Sequence, residues 1–247
     1  MNSNQSTALI TGGTSGIGRA VAEQLAKLGV HVVVAGRNAE RGEQTVAEIR
    51  ATGGKANFVQ TDLRNAQSTR TLAKRAVELS GGHVDILINN AGIYPYGLTH
   101  ETKEEDFERV YALNVKAPYF LVAELAPLMA EKGKGAIVNV STNAAERGIR
   151  GVSLYSSSKA ALNNLTKVWA AEYGPSGVRV NTVSPGPTYT EGNASMSETL
   201  AEMTSQMPAG RPAAAAEIAE AIVFLATDRS SFVYGAKLAV DGGFTAI

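Results

Sequence analysis

Tyr155 and Lys159 stand four positions apart in the segment YSSSK, and two adjacent hydroxyl residues, Ser141 and Thr142, precede them. Residues at this spacing lie on one face of a helix. A phenol has an ordinary pKa of about 10 and is a slow acid or base at neutral pH, but a neighbouring ammonium lowers that pKa. The pair is therefore a candidate proton-transfer device. Taken alone, it also fits a helix with one core aromatic and one surface lysine.

A glycine-rich segment, TGGTSGIG (11–18), follows the first apolar run and leads into a helical pattern. Gly12, Gly16 and Gly18 have the spacing GxxxGxG. Glycines here permit a tight turn and bring backbone N–H groups close to a pyrophosphate, and a helix N-terminus favours the anion. A glycine cluster alone is a weak signal, but its position in the first strand–helix unit predicts a dinucleotide site.

The second strand is predicted to end beside the adenosine ribose, where a carboxylate would bind the 2′-hydroxyl of NAD. The segment here is Ala35-Gly36-Arg37-Asn38, without an acidic residue. The planar guanidinium of Arg37 suits a 2′-phosphate. NADP(H) is therefore expected to be favoured over NAD(H); the alternative is that Arg37 only solvates a loop.

Short β-branched runs alternate with longer amphipathic segments along the chain. The predicted strands are 7–11, 31–36, 56–61, 84–90, 135–141, 178–184 and 236–243, and the clearest helices are 19–29, 39–54 and 216–227. Strands that are apolar on both faces and separated by helix-length crossovers indicate a parallel sheet covered on both sides. The fold class is therefore α/β, a doubly wound sandwich of about seven strands.

The absence of a linker or repeat predicts one dinucleotide-binding and catalytic domain over 1–247. The alternation is interrupted at 91–105 and 185–212. Long insertions after strand ends usually form the binding crevice, so a substrate loop or lid is expected at about 187–212. A disordered surface loop is the alternative.

The amino-acid composition limits the classes of partner and of catalytic chemistry that are expected. The 23 acidic residues balance 23 lysines and arginines, which gives no electrostatic reason to expect nucleic acid or an anionic membrane. The chain has no cysteine and only three histidines, so thiolate catalysis is excluded and no metal site is expected. The polar N-terminus has no secretory pattern, and no apolar stretch approaches the roughly 18–20 residues that span a bilayer. A cytoplasmic protein is expected.

Over essentially its whole length the sequence resembles the short-chain dehydrogenases/reductases. The matching motifs occur in order: TGGTSGIG (11–18), TDL (61–63), NNAG (89–92), Asn114 in LNV, YSSSK (155–159), NTVSPGPTYT (181–190) and VDGG (240–243). The resemblance implies a Rossmann-type fold, a nicotinamide cofactor and oxidoreductase chemistry. It also implies a homotetramer, in which the helix containing Tyr155 and the C-terminal segment pack across interfaces; Val168 and Trp169 fit either such an interface or an ordinary core.

By this resemblance Tyr155 is the general acid/base, Lys159 its tuner and ribose anchor, and Asn114 holds a water in a proton relay. Asn114 precedes Pro118, where the helix is expected to kink or break. Asp62 is expected to face the adenine ring, with a helix cap as the alternative. The full expected cofactor-binding set is Gly12, Thr14, Ser15, Gly16, Ile17, Gly18, Arg37, Asp62, Leu63, Asn89, Asn90, Ala91, Gly92, Tyr155, Lys159, Pro185, Gly186, Thr188 and Thr190.

In the family the catalytic hydroxyl stands thirteen residues before the tyrosine and is usually a serine. That position is Thr142 here, and Ser141 is one residue earlier. Since adjacent strand residues point to opposite faces, only one is expected to reach the site unless the strand bulges. Thr142 is the first candidate and Ser141 the runner-up.

These features predict an NADP(H)-dependent oxidoreductase acting on a small carbonyl or alcohol substrate. Tyr94, Tyr96 and Tyr189 suggest a partly apolar pocket, or simply packing. A 3-oxoacyl-thioester reductase is an alternative, but its carrier protein would need a basic docking patch, and only Lys132 and Lys134 are candidates. A non-catalytic NADP-binding regulator is favoured only by threonine at 142, and a scaffolding protein by no feature.

Overall fold

Short runs rich in valine, isoleucine and leucine form the strands of a parallel sheet. The computed structural model describes residues 5–247. The first four residues, on which the expectation of no secretory signal partly rests, lie outside the described part. The strands are β1 Thr7–Thr11, β2 His31–Gly36, β3 Ala56–Gln60, β4 Ile86–Asn89, β5 Gly135–Val140, β6 Val178–Pro185, β7 Thr188–Tyr189, β8 Ala213–Ala214 and β9 Lys237–Val240.

Seven of these strands, within residues 5–247, form one sheet in the order β3-β2-β1-β4-β5-β6-β9. All of its neighbouring strands pair in parallel. The chain moves outward from β1 to β3 and then returns to β4 on the other side of β1, so the strand order reverses between β1 and β4. In open sheets of this kind, ligands bind beyond the carboxyl ends of the strands at such a switch point.

Amphipathic segments between the strands form the helices. They are α1 Gly16–Lys27, α2 Ala39–Ala51, α3 Ala66–Leu79, α4 Glu104–Tyr111, α5 Ala117–Lys132, α6 Ser153–Tyr173, α7 Ser197–Thr204 and α8 Ala215–Ala226. The side chain of Asn38 accepts from Arg41 N at the start of α2, and that of Asn65 accepts from Ser68 N at the start of α3. Each bond satisfies a backbone donor that the first helical turn leaves free.

Two apolar layers cover the sheet, one on each face. Helices α1, α2 and α8 contribute to one layer, and α3, α5 and α6 to the other. Successive residues of β1 alternate between them: Ala8 and Ile10 pack in the first layer and Leu9 in the second. The doubly wound α/β class expected from the sequence is therefore confirmed.

The helix before Pro118 differs from the expectation. One π-helical turn, Ala112–Lys116, connects α4 to α5, and Pro118 lies within the first turn of α5 without breaking it. A proline is tolerated there because the first helical N–H groups have no intrahelical acceptor to lose. The irregularity is thus the π turn, which contains Asn114.

The segment expected to form a lid is ordered at its base. Strands β7 and β8 pair in parallel and bring its two ends together. Between them lie a 3-10 segment, Glu191–Met196, and helix α7. Among the described helices, none combines the length and the apolar character that crossing a bilayer requires.

Candidate active site

Helix α6 carries the tyrosine–lysine pair into the protein. Lys159 is 3% exposed, and its Nζ donates a hydrogen bond to the backbone carbonyl of Val140, at the end of β5, at 2.7 Å. No carboxylate pairs with it among the described residues. Because burial disfavours the charged form, the pKa of Lys159 falls to about 8.

Tyr155 lies on the same face of α6, half-buried, with the ring of Tyr94 edge-on at a centroid distance of 6.1 Å. Burial raises the pKa of the Tyr155 phenol; the Thr142 side chain lowers it by hydrogen bonding, and Tyr94 adds to the increase. The expectation that Lys159 holds this pKa down is not met in the protein itself. The lysine ammonium is directed to the Val140 carbonyl, and desolvation of the phenol is the largest cause of the shift in the Tyr155 pKa.

The two adjacent hydroxyl residues lie beyond the strand, since β5 ends at Val140. The alternation argument therefore does not apply to them, and both approach α6. Ser141 directs its hydroxyl to the backbone carbonyl of Lys159 at 3.4 Å, whereas Thr142 faces the Tyr155 phenol. The Thr142 oxygen also accepts from Ala144 N at 3.2 Å, which caps the short 3-10 turn Asn143–Ala145.

Asn114 is fully buried, and its side chain connects the π turn to two other segments. Its Nδ2 donates to the carbonyl of Ile93 and to Ser158 Oγ, both at 3.0 Å, and its Oδ1 accepts from Ile93 N at 3.0 Å. A Cβ built on Gly92 would lie 3.3 Å from both Asn114 Oδ1 and Lys159 Nζ. Asn114 and Lys159 therefore converge on Gly92, and Oδ1 keeps acceptor capacity for one more partner.

The glycine turn between β1 and α1 leaves no room for side chains. Gly12 and Gly16 have positive φ angles of 64° and 51°, a region that favours glycine. A Cβ on Gly18 would overlap the Gly12 carbonyl oxygen and the Asn90 side chain. Asn90 Nδ2 itself donates to the carbonyls of Thr11 and Gly12, at 2.9 and 3.1 Å, so the residue that follows β4 stabilises the turn.

The N-terminus of α1 opens into this turn. Ser15 occupies the N-cap position without making a side-chain cap, and the first helical turn contains no acidic residue. A helix start without its own anion or cap favours a bound one. With the glycine turn beside it, this arrangement fits the pyrophosphate of a dinucleotide.

At the end of β2, one residue is exposed and the space beside its neighbour is occupied by another side chain. Arg37 is exposed. Thr14 is buried and packs where a side chain at Gly36 would project, because a Cβ there would lie 2.6 Å from Thr14 Cγ2. A carboxylate side chain at position 36 would therefore collide with Thr14. The Arg37 guanidinium is exposed and meets no such obstacle.

Not all of the other expected cofactor residues have side chains that face the crevice. Asp62 forms an ion pair with Arg64 at 2.6 Å and does not cap α3, since Asn65 holds that position. Leu63 is buried in the core. Asn89 is buried within the sheet, where its Nδ2 donates to Asn139 Oδ1 at 2.8 Å. The side chains of Leu63 and Asn89 therefore face the interior.

The remaining residues of the set lie in the first turn of α1, after β4, at or just after the end of β6, and in or just after β7. These are Ile17, Ala91, Pro185, Gly186, Thr188 and Thr190. Gly186 must be small, because a Cβ there would lie 2.7 Å from Asp241 Cα. Thr188 donates to the Gly186 carbonyl at 2.9 Å, and Thr190 packs on Gly16.

Two residues that hold the site together were not identified from the sequence. Ser158 accepts from Asn114 and donates to the Tyr155 carbonyl at 2.7 Å, so it links both expected catalytic residues. Its position one residue before Lys159 was an available signal. Thr11 Oγ1 accepts from the backbone N–H groups of Asn90 and Ala91, at 3.0 and 3.1 Å. That contact joins two strands, and no local pattern indicates it.

Comparisons with known proteins identify the family to which this fold belongs. Residues 12–245 match a family model described as enoyl-(acyl carrier protein) reductase. An uncharacterised oxidoreductase of Thermotoga maritima is 42% identical over 254 residues, covering 100% of both chains. The cis-4-hydroxycyclohexanecarboxylate dehydrogenase of Sinomonas cyclohexanicum is 40% identical, covering 97% of this chain and 96% of that protein.

Among solved structures, a Beutenbergia cavernae protein assigned as an NAD(P)-dependent gluconate 5-dehydrogenase, with NADP bound at low occupancy, superposes with a TM-score of 0.92. It is 36% identical, and the match covers 98% of this chain and 97% of that one. The resemblance seen in the ordered motifs is thereby confirmed. The chain belongs to the short-chain dehydrogenase/reductase family and is an oxidoreductase that acts on CH–OH or C=O groups with a nicotinamide cofactor.

Proposed function

We propose that the protein transfers hydride between NADP(H) and a small cyclic ketone or secondary alcohol, with Tyr155 as the general acid/base. The observation that carries this proposal is the convergence of Tyr155, Thr142, Lys159 and Asn114, from three different elements, beside Gly92 and the glycine turn. When bound, the nicotinamide supplies or accepts the hydride; the protein supplies the proton and the position of the substrate.

Tyr155 and Thr142 act on the substrate oxygen. A raised pKa keeps the Tyr155 phenol protonated at neutral pH, so it can donate its proton to a carbonyl oxygen as the carbon is reduced. The Thr142 oxygen accepts from Ala144 N at 3.2 Å, and its O–H makes only a long hydrogen bond to Asn143 Oδ1, at 3.5 Å, which donation to the same substrate oxygen would replace. In alcohol oxidation the phenolate takes the proton back.

Lys159 and Asn114 act on the cofactor and on the proton supply of Tyr155. With a pKa of about 8, Lys159 is mostly an ammonium at neutral pH and can donate to a ribose hydroxyl. Asn114 uses both N–H donors and one acceptor position of its oxygen within the protein. The remaining acceptor position is suited to a water that passes protons to and from Lys159.

The end of β2 supports the preference for NADP(H). Arg37 is exposed there and suits a 2′-phosphate bidentately, whereas Thr14 fills the space that a carboxylate at position 36 would need. The backbone of the glycine turn, together with Ala91, Gly92, Thr188 and Thr190, would hold the rest of the dinucleotide. The Beutenbergia cavernae relative with bound NADP is consistent with this choice.

The mouth of the site supports an apolar ring as the substrate body. Tyr94 is 61% exposed and contacts the Tyr155 ring, and Tyr189 and Met196 are exposed on the lid segment. Aromatic and methionine side chains present adaptable apolar surface. The Sinomonas cyclohexanicum relative is named for a cyclic hydroxy acid, which is the class of alcohol we infer here.

The thioester alternative has less support. Lys132 pairs with Asp85 at 2.6 Å, and Lys134 pairs with Asp228 at 2.8 Å. Both lysines are thus engaged with carboxylates and make a poor docking patch for an acidic carrier protein. A regulator without turnover is also less supported, since Thr142 presents its hydroxyl to Tyr155.

We further propose that the protein is a homo-oligomer, a tetramer by analogy with its family. Helix α5 exposes Tyr119 and Leu128, and α6 exposes Val168. Trp169, by contrast, is 3% exposed and packs in the core of its own chain, so it supports no interface.

A substrate panel with a matched pair of variants tests the activity. We expect NADPH oxidation with cyclic ketones, and Tyr155→Phe should lower kcat by about 10²–10⁴-fold because the proton donor is lost. Tyr173→Phe makes the same change at the far end of α6 and should leave kcat unchanged. 3-Oxoacyl thioesters and sugar acids complete the panel. Undiminished turnover in Tyr155→Phe, or turnover of thioesters alone, would contradict the proposal.

A further inference from the structure

The lid places a carboxylate at the start of α1. Glu191 Oε2 accepts a hydrogen bond from the backbone N–H of Gly16, the first residue of α1, at 3.3 Å. The two residues are 175 positions apart in the sequence. The preceding residue, Thr190, packs on the same glycine, since a Cβ built on Gly16 would lie 3.1 Å from Thr190 Cγ2. The lid is therefore attached to the glycine turn by two consecutive residues.

This contact occupies the place where the turn favours an anion. Helix α1 has no side-chain cap at Ser15 and no acidic residue in its first turn, so Glu191 is the carboxylate that its N-terminus receives. Arg19, one turn further along, is a second attraction: Glu191 is among the carboxylates that raise its pKa, after Glu23 and Glu48.

The backbone around Glu191 is held in place. Asn193 Oδ1 accepts from Thr190 N, and Asn193 Nδ2 donates to the Thr188 carbonyl, both at 2.8 Å. These bonds fix the turn in which Glu191 begins the 3-10 segment. The other lid carboxylates, Glu198 and Glu202, are exposed and make no hydrogen bond to α1 in the part of the chain that the structure describes.

We propose that Glu191 competes with the cofactor pyrophosphate for the N-terminus of α1 and so sets the affinity for the dinucleotide. This inference rests on the proposed function, because it concerns the same cofactor site. The pyrophosphate and the Glu191 carboxylate are both anions and need the same backbone donors. Binding of the dinucleotide displaces Glu191 and frees the lid segment from α1, whereas release of the dinucleotide allows the lid to reattach.

Equilibrium binding to the protein without substrate tests the inference. NADPH is titrated into wild type, Glu191→Gln and Glu198→Gln at low ionic strength, with nicotinamide fluorescence as the readout. Glu191→Gln keeps the shape and removes the charge, so the Kd for NADPH should fall by about threefold to tenfold. Glu198→Gln removes the same charge from the same lid and should leave Kd unchanged. Inorganic pyrophosphate, used as a competitor, should likewise bind more tightly to Glu191→Gln.

Each possible result of these titrations either supports or overturns the inference. A Kd that is unchanged or higher in Glu191→Gln overturns the inference while leaving the proposed function intact, since wild type still binds NADPH. An equal decrease in Glu198→Gln also overturns it, because general lid charge would then explain the effect. If wild type binds neither NADPH nor NADH, the proposed function and the competition fail together.

Discussion

At the scale of single residues, the choice between two adjacent hydroxyls depends on where a strand stops. Because β5 ends at Val140, Ser141 and Thr142 both approach α6, but they reach different atoms. Ser141 meets a backbone carbonyl, and Thr142 meets the Tyr155 phenol. Of the two, only Thr142 lies beside the Tyr155 phenol, and on this contact rests our proposal that Thr142 donates to the substrate oxygen.

Substitutions at the two positions separate the roles. Thr142→Val keeps the shape and removes the hydroxyl, so kcat should fall by about 10²–10³-fold, as for loss of an oxyanion donor. Thr142→Ser retains the donor and should keep turnover within a few-fold of wild type. Ser141→Ala should change kcat little. Steady-state kinetics with the best ketone of the panel would reject this assignment if Ser141→Ala were as impaired as Thr142→Val.

At the scale of elements, the end of a strand carries the residues on which the proposed cofactor preference rests. Strand β2 stops at Gly36, Asn38 caps α2, and Arg37 is left exposed between them. The adjacent glycine turn contributes Thr14, which closes the space over Gly36. The preference for NADP(H) that we propose therefore rests on Arg37 together with Thr14, and not on Arg37 alone.

Removal of the guanidinium should reduce affinity for one cofactor only. Arg37→Ala should raise the Kd for NADPH by about 10–100-fold, the value of charge-assisted hydrogen bonds, with little change for NADH. Lys27→Ala removes a positive charge from the far end of α1 and serves as the control. Equal changes in the two Kd values, measured by fluorescence titration, would show that Arg37 does not read the 2′-phosphate.

At the scale of the whole molecule, the buried Lys159 couples the site to global stability. Its pKa is about 8 in the folded protein, against about 10.5 when unfolded. A lysine whose pKa is lower in the folded state than in the unfolded state destabilises the fold. The destabilisation is complete at pH values below the folded-state pKa, where the buried side chain carries its charge. That cost decreases as the pH rises toward the unfolded pKa, so this group makes stability increase with pH above about 8.

A comparison with Lys159→Met isolates this effect. Between pH 7 and pH 9.5, the free energy of unfolding of wild type should rise by about 2 kcal/mol relative to the variant. The range stops below the ordinary pKa of tyrosine, about 10, which limits the titration of Tyr155, and Tyr155 is present in both proteins. Denaturant unfolding at both pH values, at one protein concentration, provides the measurement. Parallel pH profiles for the two proteins would mean that Lys159 is not held at a lowered pKa.

The sequence by itself determined the local features. Apolar, β-branched runs and helix-length crossovers predicted the parallel sheet, and i,i+4 spacing put Tyr155 and Lys159 on one face, because these properties depend on near neighbours in the chain. Only the tertiary structure decided the burial that lowers the pKa of Lys159, the Asn114–Ser158 bond and the approach of Glu191 to Gly16. These depend on residues far apart in sequence, whose distance is set by how helices pack on the sheet and leaves no trace in local periodicity.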